Sequence, residues 1–279
     1  MACFGEVRMY YEKSTTSFDT CGFGYARTFA SHFHGAVEMI YVISGNLEVI
    51  IDGRCEKMGE GGISLAFPYQ SHEYHTDEEV ESLRVIAHPE NLPTLERIFR
   101  TKLPNSPVGH YDERERQAIE AIINAFRAVL RPYRVNPKTI PLDTDPCLVP
   151  LIEALISLHL SHVGITDVNN MRGDLPLVMK ALRLMEEKHT DHEYSLSDAA
   201  QSLGVTQPYL SNIVKQHTGC TMTQLLHTMR TAHARILLET TSDTISDIAM
   251  SSGFSSLRTF NRVFMSLMGM TPREYKSRK

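Results

Sequence analysis

Several things are missing from these 279 residues, and each absence excludes a class. No uncharged apolar run reaches 18 residues, so no membrane-spanning helix is expected. Met1 to Lys13 lacks the basic-then-apolar pattern of a signal peptide. Cysteine is scarce. Its five copies (Cys3, Cys21, Cys55, Cys147, Cys220) are scattered and form no CxxC, which disfavours a zinc finger or disulfide scaffold and fits a reducing cytoplasm. No segment is of low complexity, and the length suits about two domains. There is no overall excess of basic residues either, since the formal charge is −5. That total hides an asymmetry. Residues 1–174 hold 16 Lys and Arg against 24 Asp and Glu, whereas residues 175–279 hold 12 against 9. A polyanionic partner would therefore meet the C-terminal part.

Residues 1–110 read as strands. Phe23–Phe29 and Met39–Ile51 are β-rich, with turns at Gly45-Asn46, Asp52-Gly53 and Gly59–Gly62. This spacing predicts a sandwich or barrel. The pattern turns helical around Leu92–Thr101. From 111, Asp112 and Glu115 form a capping-box start. Ile119, Ile122, Ile123, Phe126, Val129 and Leu130 then recur at helical spacing until Arg131-Pro132. After a connection through Pro137, Pro141 and Pro146, a second helix runs from about Leu148 to His162. The two helices either form a dimer seam or cover the sheet. Gly164–Asp174 is polar and serves as the expected linker, closing a region 111–174.

Residues 175–279 read as all helix and contain a duplication. Ser197-Asp198-Ala199-Ala200-x-x-x-Gly204 recurs as Ser246-Asp247-Ile248-Ala249-x-x-x-Gly253, 49 residues on. Ile213-Val214, Gly219 and Thr221 recur as Val263-Phe264, Gly269 and Thr271 at an offset of 50. The shift predicts one extra residue at the start of the second unit's last helix. Each unit has the grammar of a helix-turn-helix. A small residue (Ala200, Ala249) lets the next helix pack close, and a glycine (Gly204, Gly253) permits a left-handed turn. A cap (Thr206, Ser255) follows, then a helix with one apolar side. The polar sides carry Gln207, Ser211, Asn212 and Lys215 in one unit and Ser256, Arg258, Asn261 and Arg262 in the other. Arg reads guanine edges, Asn adenine edges, and Lys phosphates. Two such units in register make duplex DNA the expected partner.

The stretch 177–276 closely resembles the AraC/XylS family of bacterial transcription regulators. The resemblance rests on Leu196-Ser197-Asp198-x-Ala200, Tyr209-Leu210-Ser211, Arg230-x-x-x-Ala234-x-x-Leu237-Leu238, Ile245-x-x-Ile248-Ala249-x-x-x-Gly253-Phe254, Phe260-Asn261-Arg262-x-Phe264 and Gly269-x-Thr271-Pro272-x-x-Tyr275. It implies two helix-turn-helix units, about 196–217 and 245–268, joined by a long helix near Met222–Glu239. Both recognition helices would enter successive major grooves of promoter DNA. Carried over by position, Pro208, Ser211 and Asn212 meet bases from the first helix, and Leu257, Arg258, Asn261 and Arg262 from the second. Lys215 and Thr259 fall at backbone-contact positions. Two departures stand out. Met265 occupies a position that is usually Lys, and Pro208 offers no side-chain hydrogen bond. Both point to modest affinity, or to specificity leaning on the second helix and on contacts with thymine methyls. Arg230 serves either an internal ion pair or a phosphate.

The front half carries a second pattern. His32-x-His34, Glu38 and Gly45 resemble the first cupin motif, and Gly62, Pro68 and His72 the second. His32 and His34 share strand parity, and His and Glu are ordinary ligands of zinc, iron or manganese. His32, His34, Glu38 and His72 therefore form a candidate divalent-metal set. The same residues in AraC-type sensor domains shape an effector pocket without metal, to which Arg27, Tyr41 and Tyr74 are candidate additions, with Tyr25 nearby. A purely structural role is the third reading. His88, His110, His159 and His162 stand isolated, with solvated or core roles. Asp77-Glu78-Glu79 and Glu81 read as a solvated loop.

The expected architecture is thus α+β and multi-domain. A cupin-like N-terminal barrel or sandwich with flanking helices precedes an all-α DNA-binding domain. The resemblance implies a cytoplasmic, non-enzymatic homodimeric regulator. It would be an activator that senses a small molecule, with a sugar as one candidate, and works with RNA polymerase. The rivals are a metal-dependent cupin enzyme and a metal sensor.

Overall fold

The computed structural model of the chain describes residues 10–11, 19–133, 140–168 and 173–277. Cys3, Pro137 and residues 169–172 of the expected linker lie outside them. The fold divides into two compact units, Phe18–Arg172 and a unit built on Gly173–Lys279, with which the short strand β1 (Tyr10–Tyr11) groups.

The first unit is antiparallel throughout its described pairings. Its strands are β2 (Thr20–Ala26), β3 (Phe29–Phe33), β4 (Val37–Ser44), β5 (Leu47–Ile51), β6 (Arg54–Met58), β7 (Ile63–Ala66), β8 (His72–His75), β9 (Val80–Ala87), β10 (Lys102–Pro104), β11 (Val108–Gly109), β12 (Ile140–Pro141) and β13 (Ile165–Asp167). One sheet runs β11-β7-β4-β9-β2-β12, and a second carries the run β3-β8-β5-β6. The core lies between them. Ile40, Val42, Ala66 and Val80 from the first sheet meet Leu47, Val49, Ile51, Met58 and Tyr74 from the second. This is the expected sandwich. The β5–β6 hairpin turns on Asp52-Gly53, both at positive φ (48° and 77°), as a two-residue turn with the twist of paired strands requires.

Three helices complete this unit: α1 (Glu96–Thr101), α2 (Glu113–Leu130) and α3 (Leu148–Val163). The Asp112 capping box forms as the sequence predicts, with Glu115 as its N3 partner. Ile119, Ile123, Phe126 and Leu130 of α2 are buried, as are Ile152, Leu155, Ile156 and Leu160 of α3. Those apolar rows are thus taken up within the chain's own core. Two boundaries differ from expectation. Region 111–174 is not separate, because α2 and α3 belong to the same unit as the sheets. Its assumed linker begins too early, because Ile165–Asp167 pairs with Lys102–Pro104 and Val168 is buried. The β-branched pair Ile165-Thr166 favours a strand, whereas the reading weighed the polarity of the segment as a whole.

Three of the histidines read as isolated are paired. His88 Nδ1 meets the buried carboxylate of Asp19 at 2.5 Å, where Asn91 also donates. His162 Nδ1 meets Glu115 at 2.8 Å, and the Tyr111 hydroxyl meets His159 Nδ1 at 2.6 Å. His110 remains largely exposed.

The second unit is helical: α4 (Leu175–Lys188), α5 (Leu196–Ser202), α6 (Gln207–Thr218), α7 (Met222–Thr240), α8 (Ile245–Ser251), α9 (Leu257–Met268) and α10 (Pro272–Ser277). Ala234 and Leu238 of α7 pack with Ile248, Ala249, Phe254, Phe260, Val263 and Phe264 as one core. No helix among the described residues is long and apolar enough to cross a membrane.

His159 generates a pH prediction. Burial, then the neighbouring His162, push it down to about 3, well under the unfolded value of about 6.5. The folded state then binds fewer protons. Its contribution is present above pH 6.5 and is lost as pH falls toward 3, on the order of a few kcal/mol in full. Melting temperatures of the full chain should fall through this window, and His159→Gln should flatten the slope. An unchanged slope in the variant would contradict the assignment.

Candidate functional site

The two helix-turn-helix units are built by local capping. Thr206 accepts from Tyr209 N at the start of α6, and Ser256 accepts from Thr259 N at the start of α9. The second cap is therefore Ser256, not Ser255. α6 and α9 are both 12 residues long and end on left-handed glycines, Gly219 and Gly269. The extra residue of the second unit thus lies in the turn, at Ser255, rather than in the helix. The predicted contact residues share one face of each helix. Gln207, Pro208, Asn212 and Lys215 are exposed on α6, with Ser211 half-buried. Leu257, Arg258, Asn261 and Arg262 are exposed on α9, with Thr259 half-buried. Met265 is exposed on that same face.

Arg230 has a different role from either one expected. It is buried in α7 and donates from Nε to His189 O at 2.7 Å and from Nη2 to Asp191 O at 2.8 Å. Its partners are backbone carbonyls, not a carboxylate, and its burial removes it from any phosphate. Gly253 packs against the same place. A Cβ there would overlap His189 O and crowd Arg230 Nε, while Gly204 at the matching turn has open space. Both glycines have positive φ (69° and 84°). Gly204 is thus needed for its backbone conformation alone, and Gly253 also for close approach. Tyr209, at the start of α6, donates to Asp174 at 2.6 Å.

The second candidate site lies between the sheets. His32 on β3 stands directly across from His72 on β8, with ring centroids 4.1 Å apart. His34 follows β3, and Glu38 comes from β4 in the facing sheet. All four are buried, and their ligand atoms lie within 4.8 Å of one another. Each imidazole is held by its far nitrogen. Nδ1 of His32 meets Ala30 O at 3.0 Å, that of His34 meets Ala36 O at 3.0 Å, and that of His72 meets Gln70 O at 2.9 Å. A nitrogen facing a carbonyl must carry the proton, which leaves the Nε2 lone pairs as the inward donors. His34 Nε2 lies 3.2 Å from Glu38 Oε2, and His72 Nε2 3.7 Å from it. With Nδ1 protonated, the closer contact needs a positive charge between its atoms, either a proton or a metal ion. Burial, then His72, push His32 down to about 3, so its ring is neutral at physiological pH. Burial alone would raise Glu38, but His34 and His72 more than offset it and hold the carboxyl well below the usual range. Three imidazole nitrogens and one carboxylate are donor types that suit zinc, iron or manganese.

The remaining candidates divide. Tyr74 joins the cluster, its ring 5.9 Å from that of His72. Tyr41 faces the other side of β4, near Arg127 and Glu120 of α2, because Ile40 and Val42 take the inner face. Arg27 and Tyr25 are exposed, Tyr25 by 50%. The sequence reading missed Ser64, which is fully buried and pairs with Ile40 across the β7–β4 register. Only the strand pairing reveals it.

Residues 199–278 match a helix-turn-helix domain family, and residues 23–133 match the AraC-like ligand binding domain. Over 262 residues the chain is 27% identical to the HTH-type transcriptional activator RhaR of Yersinia pestis bv. Antiqua (strain Angola), covering 90% of this chain and 86% of that protein. It is 22% identical over 260 residues to the melibiose operon regulatory protein of Escherichia coli (strain K12), covering 88% and 83%. The chain belongs to the AraC/XylS family. An AraC/XylS member with both domains is a DNA-binding regulator that senses a small molecule. The fold agrees with a solved structure of ToxT from Vibrio cholerae, at 14% identity and a TM-score of 0.50, covering 95% of this chain and 97% of that one.

The two turn glycines should respond differently to alanine. Gly204→Ala is expected to cost about 1 kcal/mol through its positive φ alone. Gly253→Ala should cost about 3 kcal/mol or more, since overpacking adds to strain. Urea unfolding of the full chain measures both, and equal losses would refute the close-approach role.

Proposed function

We propose that this chain is a cytoplasmic transcription activator in which Phe18–Arg172 senses a small molecule and Gly173–Lys279 reads promoter DNA. The observation that carries the reading is the pair of recognition helices, each capped, each glycine-terminated and each turning a polar strip outward. Arg258, Asn261, Arg262 and Leu257 contact bases, as do Pro208, Ser211 and Asn212 from the first helix, with Gln207 on the same DNA-facing strip. Lys215 and Thr259 hold the backbone. The protein acts as a homodimer and engages RNA polymerase. Effector binding favours one arrangement of sensor and DNA-binding halves and so shifts the population that fits its half-sites. A sugar is one candidate effector class, since the E. coli relative is named for melibiose.

A second observation extends the sensor reading to metal. Three imidazoles locked by carbonyls, with Nε2 turned toward one carboxylate, match the outer-shell bonding that orients metal-ligating histidines. His32, His34, Glu38 and His72 would hold a divalent ion, which supplies Lewis acidity and a positive charge to the sensor interior. The relatives are regulators, so the ion belongs to recognition, as cofactor or as the signal itself, rather than to turnover.

Two experiments test these readings. On DNA selected from a random library at fixed salt, Arg262→Ala should weaken specific binding about ten- to a hundredfold and relax one base position. Lys215→Ala should instead lower the salt slope by about one. A wild-type protein that selects no sequence would refute the DNA-reading assignment. For the metal, zinc or manganese at about a thousandfold over Kd should stabilise the full chain by about 4 kcal/mol. His72→Ala and Glu38→Gln should abolish that gain. No metal-dependent stabilisation in the wild type would refute the metal reading.

A further inference from the structure

The turn between β7 and β8 is built against the preference of its own residues. Phe67-Pro68-Tyr69-Gln70 closes with Gln70 N donating to Phe67 O at 3.1 Å, and Tyr69 stands at a φ of 67°. Proline second and a left-handed residue third are the marks of a type II turn, whose third position normally falls to glycine or asparagine. A tyrosine keeps that backbone only where its surroundings over-determine it. Here they do. Tyr69 N donates to His34 O at 2.8 Å. The buried Gln70 side chain accepts from Phe67 N at 2.9 Å on Oε1 and donates from Nε2 to Asp52 Oδ2 at 2.8 Å.

Asp52 holds the other end of this tie. It opens the β5–β6 hairpin turn, one residue past Ile51, which stands across from His72. Asp52 N donates to Ser71 O at 2.9 Å, and its Oδ1 accepts from Ser71 N at 2.9 Å and from Ser71 Oγ at 3.2 Å. One carboxylate thus fastens residues 70 and 71, immediately before a ligand histidine. The effect reaches the cluster through the backbone. Gln70 O is the acceptor that holds His72 Nδ1, and the bond from Tyr69 N fixes the backbone at His34. A turn that glycine would form without help carries tyrosine instead, and it is tied on both sides to groups that orient ligands.

We infer that Asp52 and Gln70 are positioning residues for the cluster: their side-chain bond fixes the Gln70 carbonyl, which holds the His72 ring with Nε2 inward. Affinity for a divalent ion at His32, His34, Glu38 and His72 then depends on two side chains that do not touch it. This rests on the metal reading above. Outer-shell partners of metal-binding histidines change affinity by roughly ten- to a hundredfold.

The test exchanges donor and acceptor in the full-length protein. Gln70→Glu sets a second carboxylate against Asp52. Asp52→Asn leaves one oxygen to serve both Gln70 and Ser71, and asparagine tolerates the positive φ as aspartate does. In the double variant the new amide donates to the new carboxylate, while Phe67 N and Ser71 N keep their acceptors, so every one of these bonds is restored. Cobalt(II) affinity is read from visible absorption at about pH 8, where both carboxyls are ionised, and melting is followed without metal. Each single variant should bind cobalt about tenfold or more weakly, and the double variant should recover most of that loss. Singles that bind like the wild type overturn the inference, as does a double variant as weak as its parents. Singles that melt lower without metal yet keep cobalt affinity assign the tie to folding alone and overturn it too. Nitrogen-15 spectra of the metal-free protein read His72 separately: Nδ1 should carry the proton in the wild type, and the proton should divide between the two nitrogens in Gln70→Glu. If the wild type takes up no cobalt, the metal reading fails. The positioning role then stands or falls on those spectra, and a His72 that keeps its Nδ1 proton in Gln70→Glu ends it.

Discussion

Backbone carbonyls with spare lone pairs decide where the functional side chains of both units point. In the sensor unit, Ala30, Ala36 and Gln70 each hold one imidazole by Nδ1, and the three Nε2 atoms converge as a result. In the helical unit, His189 and Asp191 hold the guanidinium of Arg230, and the His189 carbonyl also abuts Gly253. A buried ring or guanidinium must satisfy its N–H groups, so its orientation follows from the nearest free acceptor. The loop that supplies the acceptor thereby acts on a site it does not belong to. Residues 189–191 fix the turn of the second helix-turn-helix although they precede the first.

This explains what the sequence revealed and what it withheld. The Asp52-Gly53 turn, the Asp112 capping box, the Thr206 cap and the helix-closing glycines depend on neighbours within a few residues, and all of them could be read directly. The duplicated Ala-x-x-x-Gly pattern was legible for the same reason. The Ser256 cap was missed by one residue because the two offsets, 49 and 50, leave the site of the insertion open within the turn. Other features depend on distant pairing. Ser64 faces the cluster only because β7 aligns with β4, and Tyr41 turns away only because Ile40 and Val42 take the inner face. Arg230 looked like a charge in search of a charge, and its carbonyl partners lie about forty residues away. β13 was hidden in a polar segment whose strand character appears only against Lys102–Pro104.

The cluster itself shows how far spacing can go. Four residues of two types at cupin-like intervals nominated a ligand set, and the fold brought the ligand atoms of all four within 4.8 Å of one another. Spacing could not make the choice of which ring nitrogen faces inward. The carbonyl contacts make it, because an imidazole that donates from Nδ1 presents a lone pair at Nε2.

The equal length of α6 and α9 allows their outer faces to be compared position by position at the offset of 50. Pro208 corresponds to Arg258, Ser211 to Asn261, Asn212 to Arg262 and Lys215 to Met265. The cationic character is therefore inverted along the two helices. α9 carries its two guanidinium groups in its first half and an exposed thioether near its end, while α6 has no charge until Lys215. Planar guanidinium groups suit bidentate recognition of guanine, whereas a lysine acts as a point charge toward phosphate. Under the DNA-reading assignment, α9 carries sequence discrimination and α6 mainly anchors.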